Sequence, residues 1–370
     1  MKVSYNLNMK MQYRFTIIKP VENGKFTSVR NLRNSIFLAG PCPRVDYSDD
    51  WRYEAFDILN ELGFNGTVIT PTNDKFSEIE NNIGNARESQ IDWERKMMHT
   101  ASAIAFWIPR DEDHPARTTN IEFGEWYKKS GTFFGWPDYA EHNDYLEVKL
   151  HEQHKTRENS LRKLLENVVA DLRREPTMYF TSDTHFKQQR TLELSRRPFV
   201  DALNMDLELV SNWNKTVRPN DIVYHAGDFI DPNMVNTLEN LLGNLNFKEL
   251  HWTYGNYDRK IKTTLNVIAE KIYATSGRKI IFYEQGECVV NGPAHKFVIV
   301  HEPNEGSFSI PNDCIALYGH IHGRSFAKMN GFDLATDYHR YTPISIDDVE
   351  WFANAMKYWD KNVYSSEVYS

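Results

Sequence analysis

Five short motifs in the second half of the sequence carry side chains suited to divalent cations. They are Ser182-Asp183-Thr184-His185, Gly227-Asp228, Gly255-Asn256-Tyr257-Asp258, the lone His301, and Gly319-His320-Ile321-His322-Gly323. Carboxylate, imidazole and an amide carbonyl are the donors that suit Mn, Fe, Zn or Mg. One shared carboxylate can hold two such ions ~3.5–4 Å apart, and the pair polarises a phosphoryl group and ionises a bridging water. Each motif follows an apolar run of strand length, so the polar groups are expected to converge at strand carboxyl ends.

The first half offers Glu122, within Thr118-Thr119-Asn120-Ile121-Glu122-Phe123-Gly124. Thr119 or Asn120 is placed to cap a helix there, and a carboxylate near a helix N-terminus is favoured in its charged form. A charged carboxylate can attack a sugar carbon, as in retaining glycosidases. On the residues alone, an exposed first-turn glutamate is the competing reading.

The elements that must position these groups alternate in type. Ser35–Ala39, Gly66–Thr70, Ala103–Ile108 and Thr132–Gly135 read as strands. Trp51–Leu62 (closed by Gly63), Ile91–Thr100 and Thr119–Lys129 read as helices. That rhythm predicts a parallel sheet with helices on both faces, and ligands in such sheets bind at strand carboxyl ends. The loops Gly40–Arg44, Pro71–Lys75, Pro109–Thr119 and the one at Pro137 lie there. Residues 145–174 are charged but carry Leu161, Leu164, Leu165, Val168, Val169 and Leu172 at helical spacing, so a helix between or against the domains is expected. Glu175-Pro176 breaks it, and the strand Met178–Thr181 opens the second domain.

The 370-residue length makes two domains the natural expectation. The division read from the sequence is 1–146, a helical linker 147–176, and 177–370. No apolar run approaches the ~18 residues of a membrane span, and the N-terminus lacks a signal-peptide core. Three distant cysteines, Cys42, Cys288 and Cys314, predict reduced thiols. These features together predict a cytoplasmic protein. The net charge of −8 argues against general nucleic-acid binding but leaves room for a small nucleotide in a local basic pocket.

The stretch Tyr179–Ala355 resembles the calcineurin-like metallophosphoesterases. The likeness is strongest to a compact bacterial and phage branch, through Tyr179–Phe186, Arg197-Pro198-Phe199, Met205-Asp206, Trp213-Asn214 and Val223–Phe229. The resemblance implies a four-layer αββα sandwich with two metal ions, manganese favoured. It assigns Asp183, His185 and His322 to one metal, Asn256, His301 and His320 to the other, and Asp228 as the bridge, with a metal-bound hydroxide attacking phosphorus in line. Tyr257 stands where the family usually has a histidine that protonates the leaving oxygen, and a phenol is a poorer acid near neutrality. Lys187-Gln188 stands where the branch tends to have Gly-His. His225 and His251 are expected to support the site or lie in the core rather than ligate.

The segments Ser35–Arg44, Trp51-Arg52, Trp93-Glu94, Ala103–Arg110 and Thr118–Gly124 resemble the nucleoside 2-deoxyribosyltransferase-like superfamily. That resemblance implies a flavodoxin- or Rossmann-like fold and makes Glu122, in a Glu-x-Gly motif with Gly124, the nucleophile toward an anomeric carbon. Gly40 and Pro41 would let backbone approach the ligand, Arg44 and Arg110 would meet a phosphate, Asn120 would bind substrate, and Asp92 or Glu94 would touch sugar or base. Relatives often carry Ala-Asp where this chain has Ala101-Ser102, so Asp92 stands as the substitute carboxylate. Trp107, Trp126 and Trp136 read as core rather than base-stacking. Taken together these readings predict a bifunctional enzyme acting on a nucleotide or nucleoside. The rivals are a phosphodiesterase with a binding-only first domain and a decayed phosphoesterase serving as a platform. Relatives that build sites across a dimer make a homo-oligomer an expectation.

Overall fold

The computed structural model describes residues 13–22, 25–27, 32, 34–42, 50–72, 86–111, 115–302, 310–323, 327–328 and 331–357. The chain divides into two compact units, Met1–Arg173 and Arg174–Ser370.

In the first unit, six parallel strands lie in the order Thr16–Ile18, Thr67–Ile69, Ser35–Ala39, Ala103–Trp107, Thr132–Gly135, Arg157–Glu158. The run Ser35–Ala39 is fully buried, as expected of a central parallel strand covered on both faces. Alternate residues split between two cores. Ile36, Leu38, Ala103 and Ala105 face the helices Trp51–Glu61 and Leu161–Leu172. Phe37, Ala39, Ile104 and Phe106 face the helices Ala86–Thr100, Arg117–Trp126 and Asp144–His151.

Of residues 147–176, set apart above as a linker, 147–173 belong to this unit. Leu161, Leu164, Leu165, Val168, Val169 and Leu172 are buried in its core, where the small Ala103 and Ala105 leave room for the helix on the sheet. Arg173 then binds the carbonyls of Leu62 and Gly63 at the end of the Trp51–Glu61 helix. The six-residue apolar stripe requires a sheet to cover it, which a free linker would not supply.

The second unit holds two facing sheets. One runs Lys279–Tyr283, Glu249–Thr253, Ile222–His225, Met178–Thr181, parallel throughout, with Ile344–Ser345 antiparallel at its edge. The other runs Cys288–Asn291, Lys296–Ile299, Ile315–Tyr318, Gly331–Asp333, Ala327–Lys328. Phe180, Ala226, Val290, Phe297, Leu317 and Phe332 from both sheets form a common core. Met205, Trp213, Leu242 and Leu265 from the helices pack with Val223, Leu250 and Trp252 on the first sheet's outer face. The three cysteines are free. Among the described residues, no helix is long and apolar enough to cross a membrane.

Candidate functional site

The motif residues of the second unit follow the carboxyl ends of five strands, three in one sheet and two in the other. Their donor atoms form two groups: Asp183, His185 and His322, and Asp183, Asp228 and His301, each with ligand atoms within 4.8 Å of one another. Asp183 is common to both. The Asp228 Oδ2 lies 3.7 Å from His185 Nε2 and 3.4 Å from His301 Nε2, between the two groups. His320 Nδ1 is 3.3 Å from His301 Nε2 and 3.3 Å from the Asn256 amide nitrogen. All seven side chains named from the motifs are thus brought together.

These groups suit cations better than one another. The Asp183 Oδ1 is buried with no hydrogen-bond partner, 3.6 Å from both His185 Nε2 and His322 Nε2. His185 and His322 face each other Nε2 to Nε2 at 3.2 Å, so either one is protonated and donates to the other, or both are bare and their lone pairs meet unless a cation lies nearby. Asp183, His185, Asp228, His320 and His322 all adopt positive φ, between 46° and 73°. A non-glycine residue there costs free energy that the surrounding packing must offset, and such outliers gather at functional sites. Carboxylate and imidazole donors in this density fit two divalent ions.

The histidine nitrogens are fixed from behind. His301 Nδ1 donates to the Ala226 carbonyl at 2.8 Å, which leaves Nε2 as the free donor atom. His322 Nδ1 lies 3.5 Å from Asp337 Oδ2. Asp337 is itself gripped by Arg197 through both carboxylate oxygens, at 2.9 and 2.8 Å, and Arg197 also donates to the carbonyls of Asp183 and Thr184. Asp258 ties the second and third motifs together. It accepts from the backbone N–H of Asp228, Phe229 and Gly255 and from the Trp252 indole. Burial, with the nearby Asp228 charge, pushes its carboxyl up to about 6. The sequence named no role for Asp258, Arg197 or Asp337. Asp258 and Arg197 sit inside quoted motifs, whereas Asp337 carries no local signal.

Two glycines are required by close approach. A Cβ on Gly255 would meet Asp228 Oδ1 at 2.2 Å, and one on Gly319 would meet Ser182 Oγ at 2.0 Å and Asp183 Oδ2 at 2.3 Å. Tyr257 donates its backbone N–H to Asp228 Oδ1 at 2.9 Å and sets its ring edge-on to His185, centroids 5.3 Å apart. His225 is buried, with Nδ1 accepting from Gly227 N–H and Nε2 beside Thr184 Oγ1, and His251 pairs with Tyr283.

In the first unit, the Arg117–Trp126 helix begins after Ala116, a left-handed residue without a side-chain cap. Neither Thr119 nor Asn120 caps it, and Glu122 stands in its second turn. Glu122 is partly buried. Burial and the neighbouring Glu94 push its carboxyl up to about 8, against the pull of Arg52. Arg52 is buried and organises the facing loop. It pairs with Asp50 at 3.0 Å and donates to the carbonyls of Leu38, Gly40 and Pro41. A Cβ on Gly40 would meet the Trp107 carbonyl at 2.1 Å, so only glycine lets this loop lie against the next strand. Arg52 was quoted in the sequence motif without a role.

Asp92 is exposed, and its helical neighbour two residues on, Glu94, is the carboxylate beside Glu122. The 100° turn per residue carries Asp92 around to the solvent face. Arg110 and Asn120 bond to each other, on a different side of the helix from Glu122. Arg44 lies outside the described residues. Trp107, Trp126 and Trp136 are buried in the cores.

Residues 33–139 match the model of a family described as nucleoside 2-deoxyribosyltransferase like. Residues 177–335 match the calcineurin-like phosphoesterase superfamily domain, which supports a metal-dependent hydrolase. An uncharacterized protein of Methanocaldococcus jannaschii is 29% identical over 178 residues, 46% of this chain and 87% of that protein. A solved structure of a protein of unknown function from Aquifex aeolicus is 18% identical, spans 48% of this chain and 100% of its own, and has a TM-score of 0.37. The chain therefore carries an N-terminal nucleoside 2-deoxyribosyltransferase-like domain and a C-terminal calcineurin-like phosphoesterase domain.

Proposed function

We propose that this chain is a bifunctional nucleotide-processing enzyme, a metal-dependent phosphoesterase joined to a domain that breaks an N-glycosidic bond with Glu122. The observation that carries the phosphoesterase reading is the buried, unpartnered Asp183 Oδ1 at the meeting point of two Asp/His donor groups. Asp183, His185 and His322 would hold one ion, Asn256, His301 and His320 the other, with Asp228 between them. Two divalent ions, manganese favoured, would polarise the phosphoryl group and supply ionised water at neutral pH. The chain's own residues prepare that chemistry. The Ala226 carbonyl and Asp337 orient the imidazoles of His301 and His322, and the Tyr257 N–H aims Asp228. The Tyr257 phenol offers a hydrogen bond to the leaving oxygen in place of an imidazolium.

In the first domain, a Glu122 carboxylate oxygen would bond to the anomeric carbon as the bond to the base nitrogen breaks. The departing base takes its proton from water. Water or another base then releases the sugar. A second reading has this domain binding a nucleotide without cleaving it, and the burial that keeps Glu122 protonated favours it.

The deciding experiment measures nitrophenol release from bis(p-nitrophenyl) phosphate and p-nitrophenyl phosphate with Mn²⁺, with EDTA, and in Asp228→Asn. Metal-dependent turnover lost in Asp228→Asn is expected. No turnover with any metal on these activated esters would sink the phosphoesterase assignment. Free base released from nucleoside monophosphates by wild type and not by Glu122→Gln would separate the two readings of the first domain.

A further inference from the structure

The loop after Ala103–Trp107 and the helices Arg117–Trp126 and Asp144–His151 enclose a cavity of about 260 Å³. Arg110, Asn120, Phe123, Gly124, Tyr127 and Lys149 are among its lining residues. Asn120 and Gly124 are each two residues from Glu122, about 160° away around the helix axis. The cavity therefore opens on another side of the helix from the proposed nucleophile.

Arg110 is only 6% exposed, yet among the described residues its guanidinium has no carboxylate partner. It donates to the His142 carbonyl and the Asn120 amide oxygen, both neutral, and its Nε–H is buried without any acceptor. None of the described residues lining the cavity carries a carboxylate. A guanidinium cannot shed its proton, and a buried charge without a counter-charge is costly. A second cation, Lys149, stands in the lining and is shared with Glu152 outside it. Among the lining residues, Tyr127 stacks almost parallel on the buried Phe123, 3° apart with centroids at 5.6 Å, which fixes an aromatic surface in the cavity. The volume is more than a bare oxyanion fills.

We propose that this cavity is a second binding site, separate from the proposed Glu122 site, for a phosphate monoester carried on a planar ring, the class of a nucleoside monophosphate. The planar fork of Arg110 takes the phosphate oxygens, with Lys149 assisting, and the ring lies along Tyr127, which Phe123 backs. The assignment does not depend on Glu122 being catalytic.

The test uses the full chain carrying Glu122→Gln and stripped of metal with EDTA, so that neither proposed activity consumes the probe. Adenosine monophosphate and inorganic phosphate are titrated calorimetrically, and 8-azido-adenosine monophosphate is photocrosslinked and mapped by mass spectrometry. We expect the nucleotide to bind more tightly than phosphate and to label peptides containing Tyr127 or Tyr145. Adding Arg110→Gln should weaken binding by about tenfold or more, the loss of a charge-assisted pair. Adding Gly124→Leu should do the same without touching Arg110, because a side chain there meets nothing within 4 Å and grows from a cavity-lining position. It also decides the matter if Arg110→Gln does not fold. Unchanged affinity in Gly124→Leu, labelling confined to other peptides, or equal affinity for phosphate and nucleotide would each overturn the proposal.

Discussion

Asp258 provides the sharpest test of how the candidate metal centre is held. Its Oδ2 accepts from Asp228 N at 2.7 Å, Gly255 N at 2.9 Å and the Trp252 indole at 3.0 Å, while Oδ1 accepts only from Phe229 N at 3.2 Å. Asp258→Ala strands four buried donors. Each bond to a charged acceptor contributes about 1.5–3 kcal/mol, and partial rehydration and non-additivity reduce the sum, so a loss of about 3–5 kcal/mol is expected. Asp258→Asn behaves differently. With its carbonyl placed at the Oδ2 position it keeps three bonds and turns an NH₂ toward Phe229 N–H, which predicts a loss of about 1–2 kcal/mol. Amide hydrogen exchange of the Ile222–His225 and Glu249–Thr253 strands in metal-free protein reads this domain apart from the other. Both variants should also bind Mn²⁺ more weakly, because the Asp228 backbone loses its anchor. Equal costs for Ala and Asn, or a cost under ~1 kcal/mol for Ala, would refute the claim that Asp258 locks the two loops.

Base release by the first domain should climb with pH toward a plateau above about 8, since Glu122 must ionise to attack, and Glu94→Gln should move the midpoint down by removing a neighbouring charge. The stability sign is opposite: a carboxyl raised in the folded state contributes fully below its unfolded value of 4.5, and that contribution is lost as pH rises toward 8, so Glu122→Gln should be more stable than wild type at pH 9 in urea titrations. Asp337→Ala should cost about 10–100-fold in Mn²⁺ affinity by freeing His322, as read by competition with a chelator dye. Gly319→Ala should weaken metal binding at least as much, because its Cβ would displace Asp183 Oδ2. Lys155, lowered to about 8 by burial, should be acetylated by a limiting reagent at pH 8 ahead of Lys163, a surface lysine.

The clustering of the candidate metal donors was legible because they sit in short motifs at strand ends, and strand ends converge by construction in an α/β fold. The strands Met178–Thr181, Ile222–His225 and Ile315–Tyr318 lie where the apolar runs placed them. What the sequence hid were the residues that act across distance. Asp337 reaches His322 and Arg197 through tertiary packing, with no spacing to announce it. The first-domain pocket was harder for the same reason. Asp92 and Glu94 share a helix, and only the helix's orientation puts Glu94 beside Glu122 and Asp92 in water. Arg110 and Glu122 are close in sequence yet flank opposite sides of one helix. The charged run before the second domain misled because its polar face dominates the composition, while six apolar residues bind it to the first sheet.

The strand Met178–Thr181 pairs with Ile344–Ser345 at its outer edge, and Asp183 shares a donor group with His322. Residues made first in this domain are thus completed by residues made last. At translation speeds of about 5–20 residues per second, a nascent chain carries Asp183 and His185 for roughly 7–28 s before His322 is even synthesised. Through that interval the Met178–Thr181 strand has an open edge able to pair with another chain. Under the proposed metal assignment, capture of the ions is a late event in biosynthesis that certifies a finished domain, and truncated products would leave the ribosome without the His322 donor and with that edge uncovered.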